Sequence, residues 1–229
     1  RYNVSVNMPC GNDMVLCRHT APLIALQQNY FKINKKCYIK GAENIFSHLI
    51  ELISSTNSKY IDINCETIDG LFPKLFTMLN GVIKKLIENG YPTEDVYTHF
   101  SVLELYDNIN SIKVLCANLR TTEELLKKIN DIFNDKTTEG VMLSTIHKAK
   151  GLEADNVFII CPSLIPSRLA VMEWEVEEEK HLQYVMCTRP KNRLNFVTER
   201  EIRPHSAFSE NNSLFTELNN IREEIYEKV

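Results

Sequence analysis

The sequence contains no apolar run of membrane-spanning length, so no transmembrane helix is expected. Arg1-Tyr2-Asn3-Val4 is not followed by the apolar stretch that forms the centre of a signal peptide. The first residue is Arg1 and not Met, which fits a fragment or a processed chain. Glycine is scarce: the seven glycines stand at positions 11, 41, 70, 81, 90, 140 and 151, and none begins a Gly-x-x-x-x-Gly-Lys-[Ser/Thr] run. The phosphate-cradling loop of a self-contained nucleotide hydrolase is therefore excluded. No apolar run ends in an acidic pair suited to Mg2+; the run that ends at Cys161 is followed by Pro162. The seven cysteines form no Cys-x-x-Cys pair, and no two histidines stand at zinc-finger spacing. They read as reduced, mostly buried thiols of a cytoplasmic protein. A basic excess is missing too: 26 Lys and Arg against 30 Asp and Glu leave a net charge of -4. Any nucleic-acid contact must then be local, or shared with another domain.

What is present suits one substantial core, since 229 residues at 44% hydrophobic content can bury one, with room for a small subdomain. Asp13–Arg18 reads as a buried strand ending on a charge. Thr20 and Pro22 open a helix through Leu23, Leu26 and Tyr30, with Thr20 as its cap. Cys37–Lys40 is a second strand stopped by Gly41, and Ile45, Leu49, Leu52 and Ile53 fall at helical spacing. Residues 54 to about 70 read as loop. Leu71, Leu75, Leu79, Ile83 and Ile87 then mark a helix, Leu103 and Leu105 a second, and Leu125, Leu126, Ile129 and Phe133 a third. Thr121 or Thr122 caps the last of these, with Glu124 nearby. Strands return at Val141–Ile146, Asn156–Cys161 and Leu194–Val197. Between the last two, the acidic run Glu173–Glu179 reads as the solvated start of a helix, with Leu182, Val185 and Met186 as its apolar face. Pro190 closes that helix near Thr188 or Arg189, and Leu214–Tyr226 reads as a helical tail. Continuous apolar strands alternating with helices argue for a buried parallel sheet, here interrupted by a helical middle.

Three segments can carry chemistry. Ser144–Glu153 places a hydroxyl, an imidazole, two ammonium groups, a glycine and a carboxylate in the connection after a buried strand, where parallel sheets form ligand crevices. By itself it is equally an ordinary polar connection. Arg189 ends a helix with an apolar face; it can cap the helix carbonyls or reach a phosphate. Arg18 follows a buried strand, and alone is a surface charge at that strand's end.

Together the three segments resemble one family. Met14-Val15-Leu16-Cys17-Arg18 followed by Ala21-Pro22 is similar to helicase motif IV. Thr145–Glu153 is similar to motif V, whose pattern is Thr-Leu-His-x-x-Lys-Gly-Leu-Glu-Phe, and Glu177–Lys191 is similar to motif VI, which runs to Tyr-Val-x-x-Thr-Arg-Ala. These are the second-domain motifs, in order, of superfamily 1 helicases of the UvrD/Rep/PcrA type. The resemblance implies an α/β fold: a RecA-like parallel sheet flanked by helices, interrupted by a small helical insertion. It divides the chain into 1–55 (first part of domain 2A), 56–138 (a reduced 2B-like insertion) and 139–229 (second part of 2A). It implies that Arg18 and Arg189 reach the γ-phosphate of ATP bound, with Mg2+, on an N-terminal motor domain. Gly151 and Glu153 would meet the nucleotide, Glu153 at the ribose, with Lys150 among the same positions. Thr145 and His147, with Lys148, would contact single-stranded DNA or a single-strand/duplex junction, and translocation would run 3′ to 5′.

Two positions depart from the pattern. Ala154 stands where the family has Phe, and Pro190 follows Arg189 where the family has Ala; both put the local geometry in question. The chain alone is not expected to hydrolyse ATP, because the parts that grip the phosphates belong to the other motor domain. A different class is a catalytically inactive helicase-like scaffold or protein-binding domain; the retained polar residues of motifs V and VI argue against it. An unrelated α/β domain with chance matches is the third reading. Whether the parent acts in repair, replication or recombination is left open.

Overall fold

A computed structural model describes residues 9–56, 67–93, 95–134, 138–167, 170 and 172–197. Five strands form one parallel sheet in the order β2-β3-β1-β4-β5: β1 Met14–Cys17, β2 Cys37–Ile39, β3 Val141–Thr145, β4 Ala154–Ile160 and β5 Pro190–Val197. The helices are α1 Thr20–Lys32, α2 Ala42–Ser55, α3 Ile68–Glu88, α4 Phe100–Leu115, α5 Thr122–Asn134 and α6 Glu173–Thr188. The sheet is the RecA-like one that the motifs implied. β1 is buried at all four residues because both its faces are covered, which is why it reads as an unbroken apolar run. β5, at the edge, mixes polar and apolar residues, and Pro190 is tolerated as the first residue of an edge strand.

The two sheet faces pack differently. Val15 and Cys17 point to the face covered by α1 and α2, and there α3, α4 and α5 add Leu71, Leu75, Ile109, Ile112, Leu125 and Ile129 to the same continuous core. Met14 and Leu16 point the other way, into a smaller cluster with Val157, Ile159, Ile146, Ala149 and Met186. Ala154, in the place of the family's Phe, is buried in that cluster as the first residue of β4.

Several local expectations need correction. Thr20 is not the cap of α1. It is the first helical residue, and the cap position, His19, is extended and makes no side-chain bond to the helix. The acceptor comes instead from α4: the Asp107 carboxylate takes the Thr20 N–H at 2.9 and 3.1 Å and the Ala21 N–H at 3.5 Å. A carboxylate there also meets the positive end of the helix dipole. At α5 the cap is Thr121, whose hydroxyl accepts from Glu124 N at 3.2 Å while Glu124 Oε2 accepts from Thr121 N at 3.3 Å, a reciprocal capping box. α3 begins at Ile68, inside the stretch read as loop. β4 and β5 begin earlier than their apolar runs because sheet pairing carries on through polar residues. The helix read at Leu214–Tyr226 and the side chain of Phe133 lie outside the described residues.

One glycine is demanded by packing. Gly140 has φ +95°, and a Cβ there would collide with the Lys36 carbonyl, which accepts the Val141 N–H at 3.1 Å to start the pairing of β3 with β2. Only glycine combines that φ with that approach.

Candidate functional site

The connection from β3 to β4 carries motif V and has an unusual form. Strands β3 and β4 are parallel and not adjacent, since β1 lies between them. Such crossovers ordinarily need a dozen or more residues and a helix. Here residues 146–153 do it with one 3-10 turn over His147–Ala149. Ile146, Ala149 and Leu152 recur every third residue and pack into the cluster around Met14 and Leu16, so the segment itself covers β1. Ile146 N donates to Cys17 O at 3.0 Å at its start, and Leu152 O accepts from Arg189 Nη1 at 3.1 Å near its end. The other residues of the segment, His147, Lys148, Lys150, Gly151 and Glu153, are all exposed. Gly151 takes φ +82° with open space where a Cβ would stand, so it is the backbone conformation that requires it.

The segment crosses the sheet from one edge to the other. Thr145 closes β3, level with Cys17, at the C-terminal edge. Glu153 precedes Ala154, which pairs with Pro190, at the N-terminal edge. The implied functional residues therefore fall into two groups.

At the C-terminal edge, Arg18 leaves β1 and meets α6. Its Nε and Nη2 donate to Glu179 Oε1 at 3.0 and 2.8 Å, and Glu179 Oε2 accepts from Ser167 N at 2.9 Å. The Glu179 side chain is 5% exposed and that of Arg18 17%. His19 Nδ1 lies 3.8 Å from Asp107. Burial pushes the His19 pKa down, opposed by Asp107 and aided by Arg18. His147 keeps an exposed surface, yet the protein crowded around the rest of its ring, and next the Arg18 charge, push its pKa down to about 4. Its imidazole is neutral at pH 7. Partial burial also lowers the Lys148 pKa, against the pull of Asp107, and its Nζ lies beside Gly41 at the start of α2.

At the N-terminal edge, Arg189 is the last residue before β5. Its Nε donates to Val185 O at 3.0 Å, Nη1 to Leu152 O at 3.1 Å and Nη2 to Thr188 Oγ1 at 2.8 Å. Its own carbonyl accepts from Ala154 N at 3.2 Å. Arg189 thus joins the end of α6 to the end of the motif V segment, the carbonyl-capping role open to it from sequence. Among the described residues, Glu153 makes only an exposed pair with Lys191 at 3.6 Å, of the kind that contributes little.

The structure gathers Arg18, Thr145, His147 and Lys148 at one edge, and Gly151, Glu153 and Arg189 at the other. Among the described residues no hydrogen bond or ion pair joins Arg18 to Arg189: Glu179, which holds Arg18, stands ten residues before Arg189 along α6, roughly 15 Å between backbones at the helical rise.

The residue that the sequence reading missed is Glu179. The acidic run is not uniformly solvated: Glu175 and Glu179 are 6% and 4% exposed, and Glu175 Oε2 accepts from Met172 N at 3.0 Å. The signal was present. Positions 175, 179, 182 and 186 form one helical stripe, which puts both carboxylates on the apolar face. Asp107 was missed as well, and nothing near it in sequence marks it.

These motifs and this sheet are what the comparisons match. The family described as UvrD-like helicase C-terminal domain aligns with residues 24–201. The chain belongs to that family. Arg18 stands just before the matched segment, so the reading of this residue rests on the motif IV resemblance. Among curated relatives of this UvrD-like domain, the "ATP-dependent DNA helicase Rep" of Buchnera aphidicola subsp. Acyrthosiphon pisum (strain APS) is 39% identical over 75 residues, covering 30% of this chain and 12% of the relative. The "Putative ATP-dependent DNA helicase YjcD" of Bacillus subtilis (strain 168) is 32% identical over 100 residues, 38% of this chain and 13% of the relative. The Rep protein of Buchnera aphidicola subsp. Schizaphis graminum (strain Sg) is 36% identical over 79 residues, 34% of this chain and 12% of the relative. The alignments thus span 12–13% of the relatives' length. Among the described residues, no helix of this UvrD-like domain is long and apolar enough to cross a membrane.

Proposed function

We propose that this UvrD-like domain is the second motor domain of an ATP-dependent DNA helicase or translocase. It works against a P-loop motor domain that holds ATP and Mg2+. Thr145, His147 and Lys148 contact single-stranded DNA or a junction, Gly151, Glu153 and Lys150 meet the nucleotide, and Arg18 and Arg189 are directed at its γ-phosphate. Residues 56–138 serve as a reduced counterpart of the family's 2B insertion.

The observation that carries this reading is the motif V segment. A connection of eight residues, held on β1 by Ile146, Ala149 and Leu152, runs from the edge where Arg18, Thr145, His147 and Lys148 stand to the edge where Gly151, Glu153 and Arg189 stand. So short and anchored a segment transmits displacement: moving Glu153 and Gly151 against a nucleotide moves His147 and Lys148 against DNA. Arginine suits the γ-phosphate because phosphoryl transfer spreads negative charge over three oxygens. On this reading Arg189 must exchange its carbonyl partners for phosphate when the domains close.

The competing reading, an inactive helicase-like scaffold, draws support from the internal partners of both arginines. Single-strand-stimulated ATP hydrolysis by the full-length protein separates the two. Arg189→Ala is expected to lower turnover by about 10³- to 10⁵-fold, as loss of an arginine finger does. Unchanged turnover would refute the motor reading of that residue, and a parent protein with no ATPase at all would establish the scaffold.

A further inference from the structure

Glu179 is a buried carboxylate with both oxygens engaged. Oε1 takes the Nε–H and an Nη2–H of Arg18 at 3.0 and 2.8 Å, and Oε2 takes the backbone N–H of Ser167 at 2.9 Å. It is anchored in α6 and tied to the segment that follows β4, so its place is fixed from two sides. A guanidinium has five N–H donors in a rigid plane. Among the described residues, the two on Nη1 and the second on Nη2 have no hydrogen-bond acceptor. Arg18 is thus gripped along one edge and, among the described residues, has no acceptor along the other.

We infer that Glu179 is the positioning residue for Arg18, holding the Nε/Nη2 edge so that the Nη1 edge is presented to the triphosphate. This rests on the reading of Arg18 as an ATP-facing arginine. The physical gain is preorganisation. An arginine on a long flexible stem loses rotamer freedom when it docks on a phosphate. One already fixed by a buried carboxylate needs no reorganisation at the moment of transfer. A carboxylate that orients a histidine on a metal plays the corresponding part in metal sites. The opposite role, Glu179 competing with phosphate for Arg18, would make its removal accelerate turnover.

The test is single-strand-stimulated ATP hydrolysis by the full-length protein carrying Glu179→Ala, Glu179→Gln, Arg18→Ala, and each Glu179 variant combined with Arg18→Ala. Glu179→Ala is expected to lower kcat by about 10- to 100-fold, by analogy with the loss of an orienting group at a metal site, with a smaller change in KM for ATP. Glu179→Gln keeps the volume and one acceptor: with that oxygen on Arg18 the amide NH2 meets the Ser167 N–H, so it should lose less than alanine. Neither variant should lower kcat further once Arg18 is already alanine, because a residue acting through Arg18 has nothing left to position. If Glu179→Ala fails to fold, the same masking is required of Glu179→Gln. A raised kcat, an unchanged kcat beside an impaired Arg18→Ala, or a loss undiminished in the Arg18→Ala background would each overturn the inference. Unchanged turnover in Arg18→Ala itself would overturn the reading of Arg18, and the inference with it.

Discussion

At the C-terminal edge of the sheet, Arg18 meets a carboxylate that is nearly removed from solvent; at the N-terminal edge, Arg189 meets two carbonyls and a hydroxyl. The side chain is the same and the restraint is not. An ion pair out of water is held by the cost of leaving either charge alone, whereas hydrogen bonds to carbonyls exchange readily for those to water or phosphate. Arg18 is built into the domain. Arg189 is parked on the ends of α6 and the motif V segment. An arginine that must change partners in each cycle suits the second arrangement, and one that must wait in place suits the first.

The largest effect that can break this comparison is on stability. Arg18→Ala strands Glu179 and is expected to cost about 3–5 kcal/mol in urea unfolding, while Arg189→Ala loses neutral-acceptor hydrogen bonds at about 1–3 kcal/mol. A costlier Arg189→Ala would reverse the assignment of the two restraints. Next in size are the carboxylates of the two edges. Asp107→Ala removes the cap of α1 and is expected to cost about 1–2 kcal/mol, whereas Glu153→Ala, in an exposed pair, should stay within about 0.5 kcal/mol; equal losses would show that the edges are not distinct.

The edges should also differ in acid. The unfolded chain protonates His147 near 6.5 and the folded domain holds the proton off to about 4. Between those values the unfolded state binds more protons, so stability falls as pH drops through that window. His19, lowered in the same direction, adds to the fall. His147→Gln should flatten the pH dependence, and a profile unchanged by it would place the acid sensitivity elsewhere. The smallest effect concerns DNA. Lys148→Ala should reduce the slope of log affinity against log salt by about 0.7, the value for one phosphate contact on a single strand. His147→Ala should weaken binding at pH 7.5 with the slope unchanged, because a neutral imidazole releases no counterion; a slope change from His147 would mean that it binds DNA as a cation.

Much of the architecture was legible from local pattern. The unbroken apolar runs at 14–17 and 157–160 belong to strands covered on both faces, and the four-residue spacing from Leu71 to Ile83 gives α3. The misses share a cause. Thr20 has the chemistry of a cap, but Asp107 reaches the α1 amides from α4, eighty-seven positions away. The acidic run looked solvated because charge outweighed periodicity in reading it, while Glu175 and Glu179 follow the stripe of Leu182 and Met186 into the interior.

Motif V was the first segment to stand out as a source of chemistry, and its alternation is local: Ile146, Ala149 and Leu152 on one side, His147, Lys148, Lys150 and Glu153 on the other. The sequence by itself determined that division, the parallel strands and the family, because periodicity and motif spacing are properties of neighbouring residues. Only the tertiary structure decided what each arginine touches. A guanidinium is neutralised, capped or left open by groups that arrive from other elements, and the spacing between Arg18 and Glu179, 161 positions in the chain and 2.8 Å in space, is set by how α6 lies across the sheet.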